Sequence, residues 1–217
     1  MKTDSQLQTD VTNELNWQPS VRAEDIGVQV KDGIVTLTGY VDTYGEKWDA
    51  ERATQRVAGV RAVAVEIDVK LPGLHKRTDA DLARSVENTL HWTSYLPQDA
   101  VKVMVENSWV TLSGEVDWDY QRKAAHNAIR YLFGVVGVSD QISVKHDPST
   151  IGIKADVEKT LKRRAESREN NVSVEVKDHH VTLSGTSPTW WERERIVGSA
   201  WGTKGVWNVT DNISITK

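Results

Sequence analysis

Apolar residues along the chain change their period in a fixed order, and the whole cycle then runs twice more. Leu7, Val11 and Leu15 recur at every fourth residue, which lines one face of a helix, with Asp4 placed as an N-cap. Val28 and Val30 then alternate with polar neighbours, the signature of a strand with one buried face. Lys31-Asp32-Gly33 reads as a hairpin turn, because glycine accepts the positive φ that such turns require, and Val35 and Leu37 return antiparallel. Ala50, Ala53, Thr54 and Val57 resume helical spacing, with small side chains that let a helix approach a sheet closely. Ile67 and Val69 close the cycle as a last strand, so the element order is αββαβ.

The segment Val35-Thr36-Leu37-Thr38-Gly39 returns as Val110-Thr111-Leu112-Ser113-Gly114 and as Val181-Thr182-Leu183-Ser184-Gly185. A second glycine follows each by 20 positions, giving Gly59, Gly134 and Gly205. Leu82, Val86 and Leu90, then Ile153, Val157 and Leu161, repeat the first helix, with Asp79 and Thr150 as further candidate N-caps. The turn formers Asn107 and Asp178 occupy the hairpin positions. This recurrence predicts an α+β fold of three tandem modules spanning 1–73, 74–147 and 148–217. A right-handed crossover through the second helix makes each sheet mixed and three-stranded, with both helices on one face. All six glycines are read as backbone devices, the first of each pair ending a strand and the second ending a helix. Units of about 65 residues have marginal cores, so contact between them is expected.

Composition narrows the chemistry. The absence of Cys removes disulfides, thiolate catalysis and cysteine-held metals. His75, His91, His126, His146, His179 and His180 do not recur at equivalent positions, and no metal site, cofactor or catalytic residue is expected. Phosphate-cradling loops, nucleophile elbows and metalloprotease His pairs are missing from the sequence, which ranks an enzyme last. Glu46, Asp49 and Glu51 read as the solvated face of a helix. Met1 begins a stretch with no apolar leader, so a cytoplasmic protein is expected if that start is native, and a periplasmic one if a leader has been removed.

Nine Trp stand against one Phe. Tyr44 and Trp48, Trp118 and Tyr120, and Trp190 and Trp191 all fall where the second strand meets the second helix. Such side chains suit surfaces that are apolar on one side and wet on the other, and they serve equally to fill contacts between modules. Net charge separates the units at −4, −2 and +2 in chain order. Lys159, Lys162, Arg163, Arg164 and Arg168 cluster on and just beyond the first helix of the third unit. With Trp190 and Trp191 they form a candidate lipid-binding set, although a solvated face explains the charges too. Nucleic acid is not expected, because the chain is acidic overall, with a pI of about 5.9, and no nucleic-acid motif accompanies the patch.

The first-helix pattern, the Val-x-Leu-x-Gly strand, the second glycine 20 positions on and the closing Val-x-x-x-Ile-x-Val strand together resemble the BON-domain family, three times over. That resemblance implies the αββαβ fold and a bacterial family of osmotic-stress, transport-associated and envelope proteins with no established catalytic residues. It also implies a proposed role on phospholipid surfaces. The partner expected is therefore an anionic phospholipid surface. The alternative is a structural or oligomerising scaffold that makes protein contacts through sheet edges and Trp-rich loops, including a homo-oligomer.

Overall fold

The computed structural model describes residues 2–73, 77–145, 172–177, 180–203, 206 and 208–216. Its first unit comprises α1 (Asp4–Trp17), β1 (Ile26–Lys31), β2 (Ile34–Val41), α2 (Tyr44–Arg56) and β3 (Ala62–Val69). The second repeats the order with α3 (Asp79–His91), β4 (Val101–Glu106), β5 (Trp109–Val116), α4 (Asp119–Ile129) and β6 (Gly137–Val144). In the third, β7 (Val172–Lys177), β8 (His180–Ser187), α5 (Trp190–Trp201) and β9 (Asn208–Ile215) are described. The segment for which the sequence predicts its first helix, and with it Thr150, Lys159, Lys162, Arg163, Arg164 and Arg168, lies outside the described residues, as do Asp178 and Gly205.

Each sheet has the second strand in the centre, antiparallel to the first and parallel to the third. The register is the same in all three: Val28 pairs with Leu37, Val103 with Leu112 and Val174 with Leu183. Three separate cores follow from that register. In the first, Leu7, Val11 and Leu15 of α1 meet Val35, Leu37, Ala50 and Ala53, all but excluded from water. Removing one such aliphatic side chain from water is worth about 1.5–3 kcal/mol, so α1 is held mainly by this face.

Two local assignments differ from the sequence reading. The N-caps are Thr3 and Thr78, whose side chains accept from the backbone N–H of Gln6 and Asp81. Asp4 and Asp79, one residue further on, reach across to the hairpins instead. Asp4 accepts from the backbone N–H groups of Asp32 and Gly33 at 2.8 and 3.1 Å, and Asp79 does the same for Asn107 and Ser108 at 2.8 and 2.9 Å. All four turn residues have positive φ, which leaves their N–H groups unpaired in the ladder and free for one carboxylate. Each first helix is thereby tied to its own hairpin.

The second difference concerns Gly39, Gly114 and Gly185. They sit within the central strand, two residues before its end, with φ of 120°, 128° and 138°. The antiparallel ladder ends there, at Ile26 opposite Gly39, while parallel pairing continues to Val41 opposite Val69. A Cβ at Gly39 would overlap the Asp25 carbonyl oxygen and stand 3.4 Å from the Ile26 Cα. Gly59 and Gly134 also have positive φ, 101° and 98°, and lie just beyond the second helices of their units.

Candidate functional site

The junction between second strand and second helix is capped by a threonine in the first and third units and differently in the second. Thr43 and Thr189 cap α2 and α5 by accepting from Glu46 and Glu192. In the second unit Trp118 takes the N-cap position, and the Gln121 side chain accepts from the backbone N–H of Asp117 and Trp118, both at 3.0 Å. Glu46 holds the equivalent place in the first unit. It is buried rather than solvated, and its carboxylate accepts from the backbone N–H of Arg22 at 2.8 Å and Asp42 at 3.3 Å. The reading of Glu46, Asp49 and Glu51 as a water-facing row is corrected accordingly. Asp49 accepts from the Ser20 and Tyr131 hydroxyls at 2.7 and 3.0 Å. Glu51 is half-buried, and its carboxyl is held above the usual carboxylate range by burial, against the pull of Arg52 and Lys47.

From this frame Tyr44, Trp48 and Trp190 point at neighbouring units, whereas Trp118 and Tyr120 are exposed and Tyr120 meets Tyr95 of its own unit edge-on. Tyr44 packs against the core of the second unit. Burial there, with Glu51 nearby, raises its phenol pKa, and a hydrogen bond from the Val138 backbone opposes the rise. Trp190 packs against the core of the first unit, and its indole N–H donates to the Arg61 carbonyl oxygen at 2.9 Å. The Arg193 guanidinium lies 4.6 Å from the Trp190 ring centre and forms a half-buried pair with Asp211 at 2.9 Å. Trp191 is half-exposed beneath the Arg195 guanidinium at 4.7 Å. The two tryptophans of the candidate lipid set thus have different surroundings. The cationic members of the set lie outside the described residues.

Among the described residues, two of the cavities open between the first and third units. The larger, about 620 Å³, is lined among others by Lys2, Asp4, Gly33, Arg61, Pro188 and Thr216. The smaller, about 290 Å³, lies beside Trp48, Glu51, Arg52, Trp190, Glu194 and Asp211. Cations and carboxylates are mixed in both, and the Asp4 oxygens are already engaged by the hairpin. Among the described residues no three His, Asp or Glu side chains gather in a metal-binding group, and no helix is long and apolar enough to cross a membrane. His126 lies against Trp48, ring centres 4.9 Å apart; His91 stacks edge-on to Trp92, and His180 meets Thr210. His75, His146 and His179 fall outside the described residues.

Two surface residues escaped the sequence reading. Trp17 and Trp92 are each 83% exposed, at the C-terminal ends of α1 and α3. They are 75 positions apart, the same separation as Gly39 and Gly114, and the corresponding residue before Gly185 is Arg163. That shared spacing was the available signal. Helical periodicity hides it, because both tryptophans fall off the apolar stripe.

The BON-domain family model matches residues 3–70, 78–146 and 152–217. The chain belongs to the BON-domain family. Over 146 residues it is 27% identical to "Osmotically-inducible protein Y" of Escherichia coli (strain K12), an alignment covering 65% of this chain and 73% of that protein. Among solved structures it is similar to CdsD, a structural protein of the type III secretion system of Chlamydia trachomatis. That likeness has 13% identity and a TM-score of 0.27, covering 96% of this chain and 91% of that one. A structure of the CdsD C-terminal domain matches at the same identity and TM-score, with both chains covered fully. Within the BON frame each module supplies its own core, and Tyr44 and Trp190, from the starts of two second helices, pack against the core of another module.

Proposed function

We propose that this is a non-catalytic, stress-associated protein whose BON modules attach weakly and reversibly to anionic phospholipid surfaces. The observation that carries the reading is the pair Trp17 and Trp92, almost fully exposed at equivalent positions, with Arg163 at the third equivalent position inside the cationic run Lys162-Arg163-Arg164. An exposed indole gains little in water and suits the headgroup layer of a bilayer. Each cation near an anionic leaflet adds about 1 kcal/mol, enough for several together to offset the repulsion from an acidic chain. Stress association is supported by the similarity to the osmotically inducible protein.

A scaffold reading has its own support, since Tyr44 and Trp190 make module-to-module contacts. Sedimentation with phosphatidylglycerol and phosphatidylcholine vesicles separates the two. The lipid reading expects binding to the anionic vesicles alone, release at 1 M salt where the Debye length is about 3 Å, and loss of binding when Lys162, Arg163 and Arg164 become Gln. In the chain that keeps those cations, Trp17→Ala with Trp92→Ala should weaken binding to the anionic vesicles. Equal sedimentation with both vesicle types, or none with either, rejects the lipid reading and favours the scaffold.

A further inference from the structure

We propose that the start of the second helix is a module-recognition surface whose partner is another BON module, and that the three copies in this chain satisfy one another head to tail in a closed ring. The surface is defined by the fifth and ninth residues after the central-strand glycine. These are Tyr44 and Trp48 in the first module and Trp190 and Glu194 in the third; in the second the ninth residue is Lys123, while the fifth, Asp119, is buried and paired within its own helix to Arg122 and Lys123.

The first module presents this surface to the second. Tyr44 packs against the second core, and Trp48 lies against His126 and under Arg130, with 4.9 Å to each. Gly45 leaves the room that the Tyr131 ring occupies, since a Cβ there would overlap it. The second module presents the surface to the third. The Lys123 ammonium stands 3.1 Å from where a Cβ on Gly198 would be, and Arg122 faces Trp201 at 5.9 Å. The third module presents it to the first, with Trp190 on the first core and Glu194 paired to Arg52.

All three contacts run in the same direction, from the start of one second helix to the middle or end of the next. The last two use identical positions: Arg52 and Gly198 are each the thirteenth residue after their glycine, and they receive Glu194 and Lys123. A head-to-tail contact applied repeatedly either runs on as a filament or closes. Here the third application returns to the first module, so the step is close to a third of a turn and no copy of the surface remains open. The side chains differ at each joint, so the joints are not interchangeable. Glu194 has a cation to meet on Arg52, whereas Lys123 in its place would face that cation with like charge.

The absence of Cys makes a direct test simple. Asp68, Ser143 and Ser214 are exposed and hold the same place in β3, β6 and β9. Replacing them by Cys in pairs, in the full chain, permits nitroxide distance measurement between every two modules. The ring requires three similar, narrow distances that persist when labelled chains are diluted with unlabelled ones. Trp190→Ala should broaden the 68–214 distance and leave the 68–143 distance unchanged, which doubles as the control for folding; Trp190→Phe should broaden it less. A 68–214 distance far longer than the other two, or one lost on dilution, overturns the closed ring. An unaltered 68–214 distance in Trp190→Ala overturns the assignment of the surface.

Discussion

Trp190 and Arg61 are 129 positions apart, and the indole N–H of one donates to the backbone carbonyl of the other at 2.9 Å. The bond joins the last module to the first, beside the half-buried face of Trp190 on the first core. Truncating this side chain removes both packing and a hydrogen bond. Trp190→Ala is expected to lower stability by about 1–3 kcal/mol, since the ring is only partly buried. Trp190→Phe keeps an aromatic ring and loses the donor, at a cost of about 1 kcal/mol. Denaturant unfolding of the two variants beside the parent checks the order. Equal losses would mean that packing contributes nothing beyond the bond.

The central-strand glycines fail any side chain for a stated reason. At Gly114, as at Gly39, a Cβ would overlap a backbone carbonyl oxygen, here that of Ala100, and φ lies in the region that L side chains rarely adopt. Gly39→Ala and Gly114→Ala should each cost about 2 kcal/mol or more, and the Val variants more again, seen as a lowered thermal midpoint. Any activity should fall only in step with the folded fraction. A Val variant with the parent's midpoint would contradict the backbone account.

Asp4 and Asp79 offer a cleaner local test, because each carboxylate serves two adjacent N–H groups. Asp79→Ala should cost about 1–3 kcal/mol and speed amide exchange at Asn107 and Ser108, with Asp32 and Gly33 unaffected. Asp79→Asn retains one acceptor oxygen and should fall between. Unchanged exchange at Asn107 in the Ala variant would show that the carboxylate does not hold the turn.

Periodicity and repetition made most of the fold legible. Leu7, Val11 and Leu15 are buried as their spacing requires, and the matched registers of the three sheets follow from the fixed glycine separations. The N-cap falls one residue before the one the sequence suggests, because Thr3 and Asp4 are both good caps and only the reach of Asp4 to a distant hairpin separates them. Gly39 reads as a strand end because half of its pairing does end there. The destinations of Tyr44 and Trp190 were out of reach. An amphipathic aromatic side chain reads the same whether lipid or a neighbouring module covers it, and the contacts that decide lie 94 and 129 positions away, at Val138 and Arg61.

His126 gives the joint between the first two modules a pH dependence with a definite sign. Burial lowers its pKa below the ordinary value of about 6.5; Arg130 lowers it further, and Asp140 pulls it back. The neutral ring is therefore the one held against Trp48 and Arg130. As pH falls below about 6.5 the unfolded or undocked chain takes up a proton before the docked one does, so stability declines across the window down to the depressed value and then levels off. Glu51 works the other way: its raised pKa makes stability fall as pH rises above its ordinary value of about 4.5. Both windows have their ordinary-value edge on the acid side of neutrality, and a single melting curve against pH cannot apportion them. His126→Gln can, since it removes one titration and leaves Glu51, Arg130 and Asp140 in place. Between pH 7.5 and 5.5 the parent should lose more stability than His126→Gln does, and their difference should vanish above pH 7.5 apart from a constant offset. Parallel curves throughout that range would show that His126 carries no linkage to docking.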